Sequence, residues 1–143
     1  MDLTQKPHLK RILDAWNSGN PERILEISSD FIVYEHMGST HLVARGIGQF
    51  REYLKSLFDA IQNLQFDFTN YGWAEPSFFI EWVAKGNLFG NRYGVEGKGE
   101  PIRFEGVAVA ILGDHGKIVE FRTYFNDAQI SNAVKFPDSD EYE

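Results

Sequence analysis

The chain has 143 residues and no cysteine, and its 21 acidic against 14 basic side chains give a net charge of −7. This length predicts one domain, the lack of cysteine excludes disulfides and thiolate chemistry, and the acidic balance argues against nucleic-acid binding, which needs a clustered basic face. With 43% hydrophobic and 15% aromatic residues, the composition excludes intrinsic disorder.

Helices are predicted in the first half of the chain. Apolar residues at positions 9, 12, 13 and 16 share one helical face. Gly19 ends this helix, and Asn20-Pro21 begins a short second one. A third helix is predicted over residues 49–62, where a broad apolar stripe lies opposite charged side chains.

Strands are predicted around and after this long helix. Residues 31–34 and 41–45 form two short strands, and residues 64–74, 78–89, 101–112 and 117–125 form long ones. The last two are joined by a hairpin turn at residues 113–116, whereas the glycine-rich residues 90–99 form a loose connection. This order predicts the α+β class. The domain spans residues 1–135, and residues 136–143 form an acidic, flexible tail.

The surroundings of the domain are predicted from its apolar residues. Both faces of the strand at residues 101–112 are apolar, which favours a homodimer through the outer sheet face over a solvated face. The longest apolar stretch, residues 107–112, is far below the ~20 residues that span a membrane. No signal sequence is recognised before the first helix. We therefore expect a cytoplasmic protein without membrane or nucleic-acid partners.

Several segments occur here in a characteristic order: AWNSGN at residues 15–20, GIGQFREYLKSL at 46–57, RFEGV at 103–107, and GKIVE followed by YFN at 116–126. In this order the chain resembles the SnoaL-like branch of the nuclear-transport-factor-two-like superfamily. The resemblance implies an α+β cone, in which a curved antiparallel sheet wraps N-terminal helices around an apolar pocket, commonly as a dimer. Such proteins include polyketide cyclases, ketosteroid isomerases, limonene-epoxide hydrolases, dehydratases and non-catalytic binding modules.

Acidic residues of the catalytic relatives are replaced in this chain. Thr123 matches the catalytic Asp that SnoaL-type cyclases and epoxide hydrolases carry on the last strand, and threonine cannot act as a carboxylate acid or base. Trp82 and Ala84 match the Arg and Asp of the epoxide hydrolases, so the resemblance argues against that activity. Ile12 and Ala108 match the oxyanion-binding Tyr and Asp of the ketosteroid isomerases.

The sequence Tyr34-Glu35-His36, at the end of the first predicted strand, contains the candidate catalytic residues Glu35 and His36. Alignment on Gly38-Ser39 places Glu35 where ketosteroid isomerases carry their Asp base. Alignment on the strand places Tyr34 and His36 where epoxide hydrolases carry a water-holding Tyr and Asn. Successive side chains of a strand point to opposite faces, so both alignments hold only with a bulge. Solvent-facing side chains are the alternative. His36 and His41 lie five residues apart, but a metal site needs further ligands and only Glu35 is nearby. No metal site is therefore predicted.

Aromatic and polar side chains provide candidates for substrate binding. Trp16, Trp73 and Trp82 would line the pocket together with Tyr34, with core filling as the alternative. Thr123 and Asn126 would contact the ligand, although Asn126 also suits a helix cap.

The resemblance implies a cofactor-free isomerase, cyclase or dehydratase that moves a proton on a hydrophobic carbonyl compound. The alternative is a non-catalytic module of the same fold that binds a ligand or a protein.

Overall fold

The computed structural model describes Leu3, residues 6–38 and residues 41–137, and this part of the chain forms four helices and one six-stranded sheet. The helices are α1 (Pro7–Asn17), α2 (Pro21–Glu26), α3 (Gly46–Ala60) and α4 (Ala128–Lys135). The strands are β1 (Ser28–Met37), β2 (His41–Arg45), β3 (Ile61–Ala74), β4 (Ser77–Gly90), β5 (Gly97–Leu112) and β6 (Ile118–Tyr124). The predicted α+β class is confirmed. The predicted tail falls mostly outside the described residues.

The sheet has the strand order β2-β1-β6-β5-β4-β3. Adjacent strands are antiparallel except β1 and β6, which run parallel and place Tyr34 beside Phe121 and His36 beside Thr123. The sheet is therefore mixed, not fully antiparallel as predicted. Parallel pairing needs a long connection, and here helix α3 and the β3–β5 meander provide it.

The core lies between helices α1 and α3 and the inner face of the sheet. Leu9 and Ile12 of α1 and Phe50 and Leu54 of α3 are almost completely buried, as the apolar spacing of both helices predicts. Asn17 fixes the end of α1 to β3, because its side chain accepts a hydrogen bond from the Phe66 amide at 2.6 Å and donates one to the Phe66 carbonyl at 3.1 Å.

A short turn orients α2 relative to α1. Gly19 has a φ of +69°, a left-handed conformation that glycine adopts without strain. Asn20 then caps α2, since its Oδ1 accepts a hydrogen bond from the Glu22 amide at 3.0 Å. Helix α1 thus ends and α2 begins within a few residues, as the sequence Gly19-Asn20-Pro21 predicts.

The outer face of the sheet carries apolar side chains in solvent. Phe79, Val107 and Tyr124 are 45%, 39% and 40% exposed, and Val107 is the direct neighbour of Tyr124 across the β5–β6 pair. Within the described ranges, no helix has both the length and the apolar character needed to cross a membrane.

Candidate functional site

A cavity lies between α1, α3 and the inner face of the sheet. Its volume is about 40 Å³, which suffices for about three water molecules, whereas a single benzene ring binds in a cavity of about 150 Å³. Most of its walls are apolar, so the lining suits a planar and mostly apolar molecule, and the wall side chains must move apart to admit one. Its aromatic lining residues are Trp16, Tyr34, Tyr53, Phe66, Phe68, Trp82, Phe104, Phe121 and Phe125.

Interlocking rings hold the cavity walls in place. The Trp16 ring stacks on Phe121 at a centroid distance of 5.6 Å and meets Phe66 edge-on at 5.7 Å. Trp82 meets the edges of Phe104 at 5.6 Å and Phe125 at 5.5 Å. Such edge-to-face and stacked pairs have preferred geometries, so a wall ring that turns has to move its neighbours with it.

Two tyrosine hydroxyls form a polar point in this apolar lining. The Tyr34 hydroxyl donates a hydrogen bond to the Tyr53 hydroxyl at 3.1 Å, joining β1 to α3. Burial raises the pKa of Tyr34 well above its ordinary value and also raises the pKa of Tyr53. Both hydroxyls are therefore protonated at neutral pH. The proton of the Tyr34 hydroxyl takes part in the hydrogen bond between the two tyrosines. The proton of the Tyr53 hydroxyl therefore remains available for an oxygen atom of a ligand.

His36 and Asp127 form a second polar group behind the cavity wall. His36 Nε2 lies 3.0 Å from Asp127 Oδ1, and the imidazole stacks on the Phe125 ring at a centroid distance of 4.3 Å. Burial lowers the pKa of His36, and the charge of Asp127 opposes this effect. Because Phe125 lines the cavity, one aromatic ring separates the imidazole from the cavity space.

The alternation of β1 decides between the two alignments of Tyr34-Glu35-His36. Tyr34 and His36 are buried on the inner face, 2% and 6% exposed. Glu35 points to the opposite face, where its Oε2 lies 2.9 Å from His41 Nε2. The geometry thus brings Tyr34 and His36 to the site and places Glu35 in an ion pair outside it.

The remaining candidate residues divide between the cavity and other positions. Trp16, Trp82 and Thr123 line the cavity. Trp73 is 48% exposed, outside the lining set, and lies under the Lys6 ammonium at 3.8 Å. Asn126 lies two residues before α4, where its Oδ1 accepts a hydrogen bond from the Ala128 amide at 2.9 Å. The structure thus does not bring Trp73 or Asn126 into the cavity.

The sequence did not predict several residues of the site, among them Tyr53, Phe125 and Asp127. Tyr53 lies within the apolar stripe of α3. A buried tyrosine hydroxyl needs a polar partner, so a tyrosine in this stripe was the signal that could have indicated a polar site. Phe125 and Asp127 follow β6 directly, and their contact with His36 depends on the parallel pairing of β1 and β6. Among the described residues, no three His, Asp or Glu side chains are grouped as a metal site would need.

A curved sheet packed on helices around an aromatic cavity defines the class of nuclear-transport-factor-two-like pocket proteins. Residues 6–134 match the SnoaL-like polyketide cyclase family, so the chain belongs to that family. The predicted family resemblance is therefore confirmed. Comparison with curated proteins gives no significant match.

Solved structures agree with this fold. A candidate SnoaL-like polyketide cyclase from Jannaschia sp. CCS1 is 17% identical with a TM-score of 0.76, over 92% of this chain and 91% of that one. A phenazine biosynthesis-related protein from Pseudomonas aeruginosa is 15% identical with a TM-score of 0.74, over 93% and 88%. A protein with a ketosteroid isomerase-like fold from Catenulispora acidiphila is 16% identical with a TM-score of 0.69, over 85% and 86%.

Proposed function

We propose that this protein binds a compact hydrophobic carbonyl compound in its aromatic cavity and moves a proton on it without a cofactor, as in an isomerisation, cyclisation or dehydration. The observation that carries this proposal is the Tyr34–Tyr53 hydroxyl pair, 3.1 Å apart in an otherwise apolar lining. Membership of the SnoaL-like polyketide cyclase family supports the same class of substrate.

The tyrosine pair has the properties of an oxygen-binding group. A buried neutral hydroxyl donates to a carbonyl oxygen and stabilises the negative charge that develops there when the neighbouring carbon loses a proton. Burial keeps both hydroxyls protonated by raising the pKa of Tyr34 and of Tyr53. In this proposal Tyr53 holds the oxygen, and Tyr34 positions Tyr53.

His36 is the proposed proton acceptor. Its lowered pKa keeps the imidazole neutral at neutral pH, so it has a lone pair for the proton that leaves the carbon next to the carbonyl group. Asp127, 3.0 Å from Nε2, stabilises the imidazolium that forms. The proton then returns to another carbon or to a leaving oxygen. Direct transfer requires the Phe125 ring to turn away from its stacked position on His36.

A binding test examines the tyrosine pair. The affinities of naphthalene and 2-naphthol are compared by ligand-detected NMR, because these probes differ by one hydroxyl group. One neutral hydrogen bond contributes about 0.5–1.5 kcal/mol, so 2-naphthol should bind about 2- to 12-fold more tightly. Tyr53→Phe should remove this preference, whereas Tyr71→Phe, a change outside the cavity lining, should leave it intact. Equal binding of both probes by the unmodified protein contradicts the proposed oxygen site.

A second test examines proton transfer. The unmodified protein should accelerate deuterium incorporation next to the carbonyl group of 2-tetralone in D₂O, measured by NMR. His36→Gln should abolish the acceleration while thermal unfolding shows that the variant is folded. His115→Gln, an exposed histidine in the turn after β5, is the matched control. No acceleration by the unmodified protein rejects proton transfer on such ketones.

A non-catalytic binding module is the second candidate function, and a specific observation favours it. The cavity lining contains no Asp, Glu or His among the described residues, and Phe125 stands between His36 and the cavity. A non-catalytic binding module predicts that 2-naphthol binds through Tyr53. It also predicts that the protein leaves the rate of deuterium incorporation into 2-tetralone at its value in buffer.

We further propose that a second copy of the chain covers the outer sheet face. The exposed side chains of Phe79, Val107 and Tyr124 support this proposal, since apolar patches rimmed by polar residues are typical of protein interfaces. Light scattering after size-exclusion chromatography measures the mass in solution, and a monomer at micromolar concentration contradicts a stable dimer.

A further inference from the structure

Arg92 places a positive charge beside the polar end of the cavity. It lies in the connection between β4 and β5, where its guanidinium donates a hydrogen bond to Ser56 Oγ on α3. The same guanidinium lies 5.1 Å from the ring centre of Tyr53 and 5.8 Å from that of Tyr93. None of the ion pairs found in the described part of the chain includes Arg92.

The charge of Arg92 acts on the residues of the candidate site. It lowers the pKa of Tyr34 and Tyr53, against the larger effect of burial, and it lowers the pKa of His36 in the same direction as burial. The charge of Arg92 therefore acts on three groups from two elements. Arg92 is not itself a lining residue of the cavity, and its guanidinium lies next to Tyr53, which is one.

We propose that Arg92 binds a carboxylate of the ligand, so that the pocket takes an apolar molecule with an acidic group at the end that lies beside Tyr53. This inference rests on the proposed function and specifies its substrate class. A guanidinium offers a planar fork of five N–H donors that matches a carboxylate. Arg92 already donates to Ser56 and contacts the side chains of Tyr53 and Tyr93, so the carboxylate would take the remaining donors.

Neighbouring charges set the limits of this site. Asp127 lies near enough to raise the pKa of Tyr53 and Tyr93, and its charge opposes an incoming anion. Its carboxylate oxygen lies 3.0 Å from His36, so protonation of His36 would reduce this repulsion. Carboxylate binding should therefore strengthen as the pH falls towards the range in which His36 becomes protonated.

The experiment compares 2-naphthoate with 2-naphthol on the full chain by ligand-detected NMR. Arg92→Gln should lower the affinity for 2-naphthoate about 10-fold, as expected for a hydrogen-bonded charge pair at a half-exposed position. The same substitution should change the affinity for 2-naphthol less than about twofold. Arg103→Gln, an exposed arginine on β5 paired with Glu105, should change neither affinity. Added salt should weaken the carboxylate probe alone.

The outcomes separate this inference from the proposed function. If 2-naphthol binds through Tyr53 but 2-naphthoate is unaffected by Arg92→Gln, the carboxylate site is rejected and the oxygen site remains. If none of the naphthalene probes binds, both proposals fail. Arg92→Lys keeps the positive charge but loses the planar fork of donors. An intermediate loss of 2-naphthoate affinity in this variant supports the site, even if thermal melting shows that Arg92→Gln does not fold. Equal 2-naphthoate binding by the lysine variant and the unmodified protein overturns the role of the guanidinium fork.

Discussion

Replacing Gly38 by alanine should force His36 and Asp127 apart. A Cβ atom at position 38 would lie 2.7 Å from His36 Nε2, 2.8 Å from the Phe125 carbonyl oxygen and 2.9 Å from Asp127 Oδ1. All three distances are shorter than ordinary van der Waals contacts, and one involves the backbone, which cannot rotate away. Gly38 therefore provides the space in which the imidazole and the carboxylate meet.

The expected cost follows from the number of these close contacts. Adding one methyl group to a well-packed site costs about 1–3 kcal/mol, and the three contacts place Gly38→Ala in the upper half of that range. For a chain of this size, each kcal/mol lowers the melting temperature by roughly 3–4 °C. We therefore expect a decrease of about 6–12 °C in a thermal unfolding experiment followed by circular dichroism.

Two other glycines serve as matched controls. A Cβ atom at Gly48 in α3 or at Gly72 in β3 would meet nothing within 4 Å. Alanine at either position should stabilise the protein by about 0.5–1 kcal/mol, because it reduces the conformational entropy of the unfolded chain. A Gly38→Ala variant that melts within about 1 °C of the unmodified protein would refute the close packing of His36 against Asp127.

Three further predictions concern the core, the pH dependence and the outer face. Leu54→Ala should lower the free energy of unfolding by about 2–5 kcal/mol in urea denaturation, because Leu54 is completely buried; a loss below about 1 kcal/mol contradicts its core position. The lowered pKa of His36 means that the unfolded state binds its proton more readily, so stability should fall as the pH drops below about 6.5. The His36→Gln variant should lose this part of the pH dependence of stability. If its stability depends on pH in the same way as that of the unmodified protein, the role of His36 is contradicted. Phe79→Lys should convert the proposed dimer to a monomer in light scattering, and an undiminished mass would exclude this face.

Local sequence patterns predicted most of the elements because their causes are local. The apolar spacing around Trp16 and along α3, and the period-two pattern of β3 and β4, come from side chains that bury one face of their own element. The strand at His41–Arg45 was predicted with its observed bounds. The eight-residue helix α4 was not predicted, since its apolar pattern is short and only Asn126 suggested a helix cap.

Pairing between distant segments could not be predicted from these patterns. Strand β5 begins at Gly97, although residues 90–99 were predicted to form a loose connection, because Gly97 pairs with Gly90 and extends the hairpin. The parallel register of β1 and β6 likewise depends on segments about ninety residues apart in sequence. Backbone hydrogen bonds in an extended hairpin outweigh the weak strand preference of glycine.

The candidate site shows the same division between local and distant causes. The sequence predicted that three aromatic residues line the pocket, and they do line the cavity: Trp16, Trp82 and Tyr34. Aromatic side chains on the buried faces of their elements meet at the centre of this fold, so local patterns sufficed for this prediction. Tyr53 and Asp127 were missed because each gains its role from a partner on another element. Composition gives no information about such partners.

The alternation along β1 links the fold to the chemistry of the pocket. Because Ile32, Tyr34 and His36 share the buried face, a shift of one residue would bring Glu35 inward and expose His36. A carboxylate at that point would carry charge into an apolar lining and would repel an acidic ligand near Arg92. The observed register instead places a neutral hydroxyl pair at the cavity and a neutral imidazole behind Phe125. For the proposed proton transfer, such a pocket would tolerate the negative charge that develops on the ligand, whereas a carboxylate base at the same position would oppose that charge.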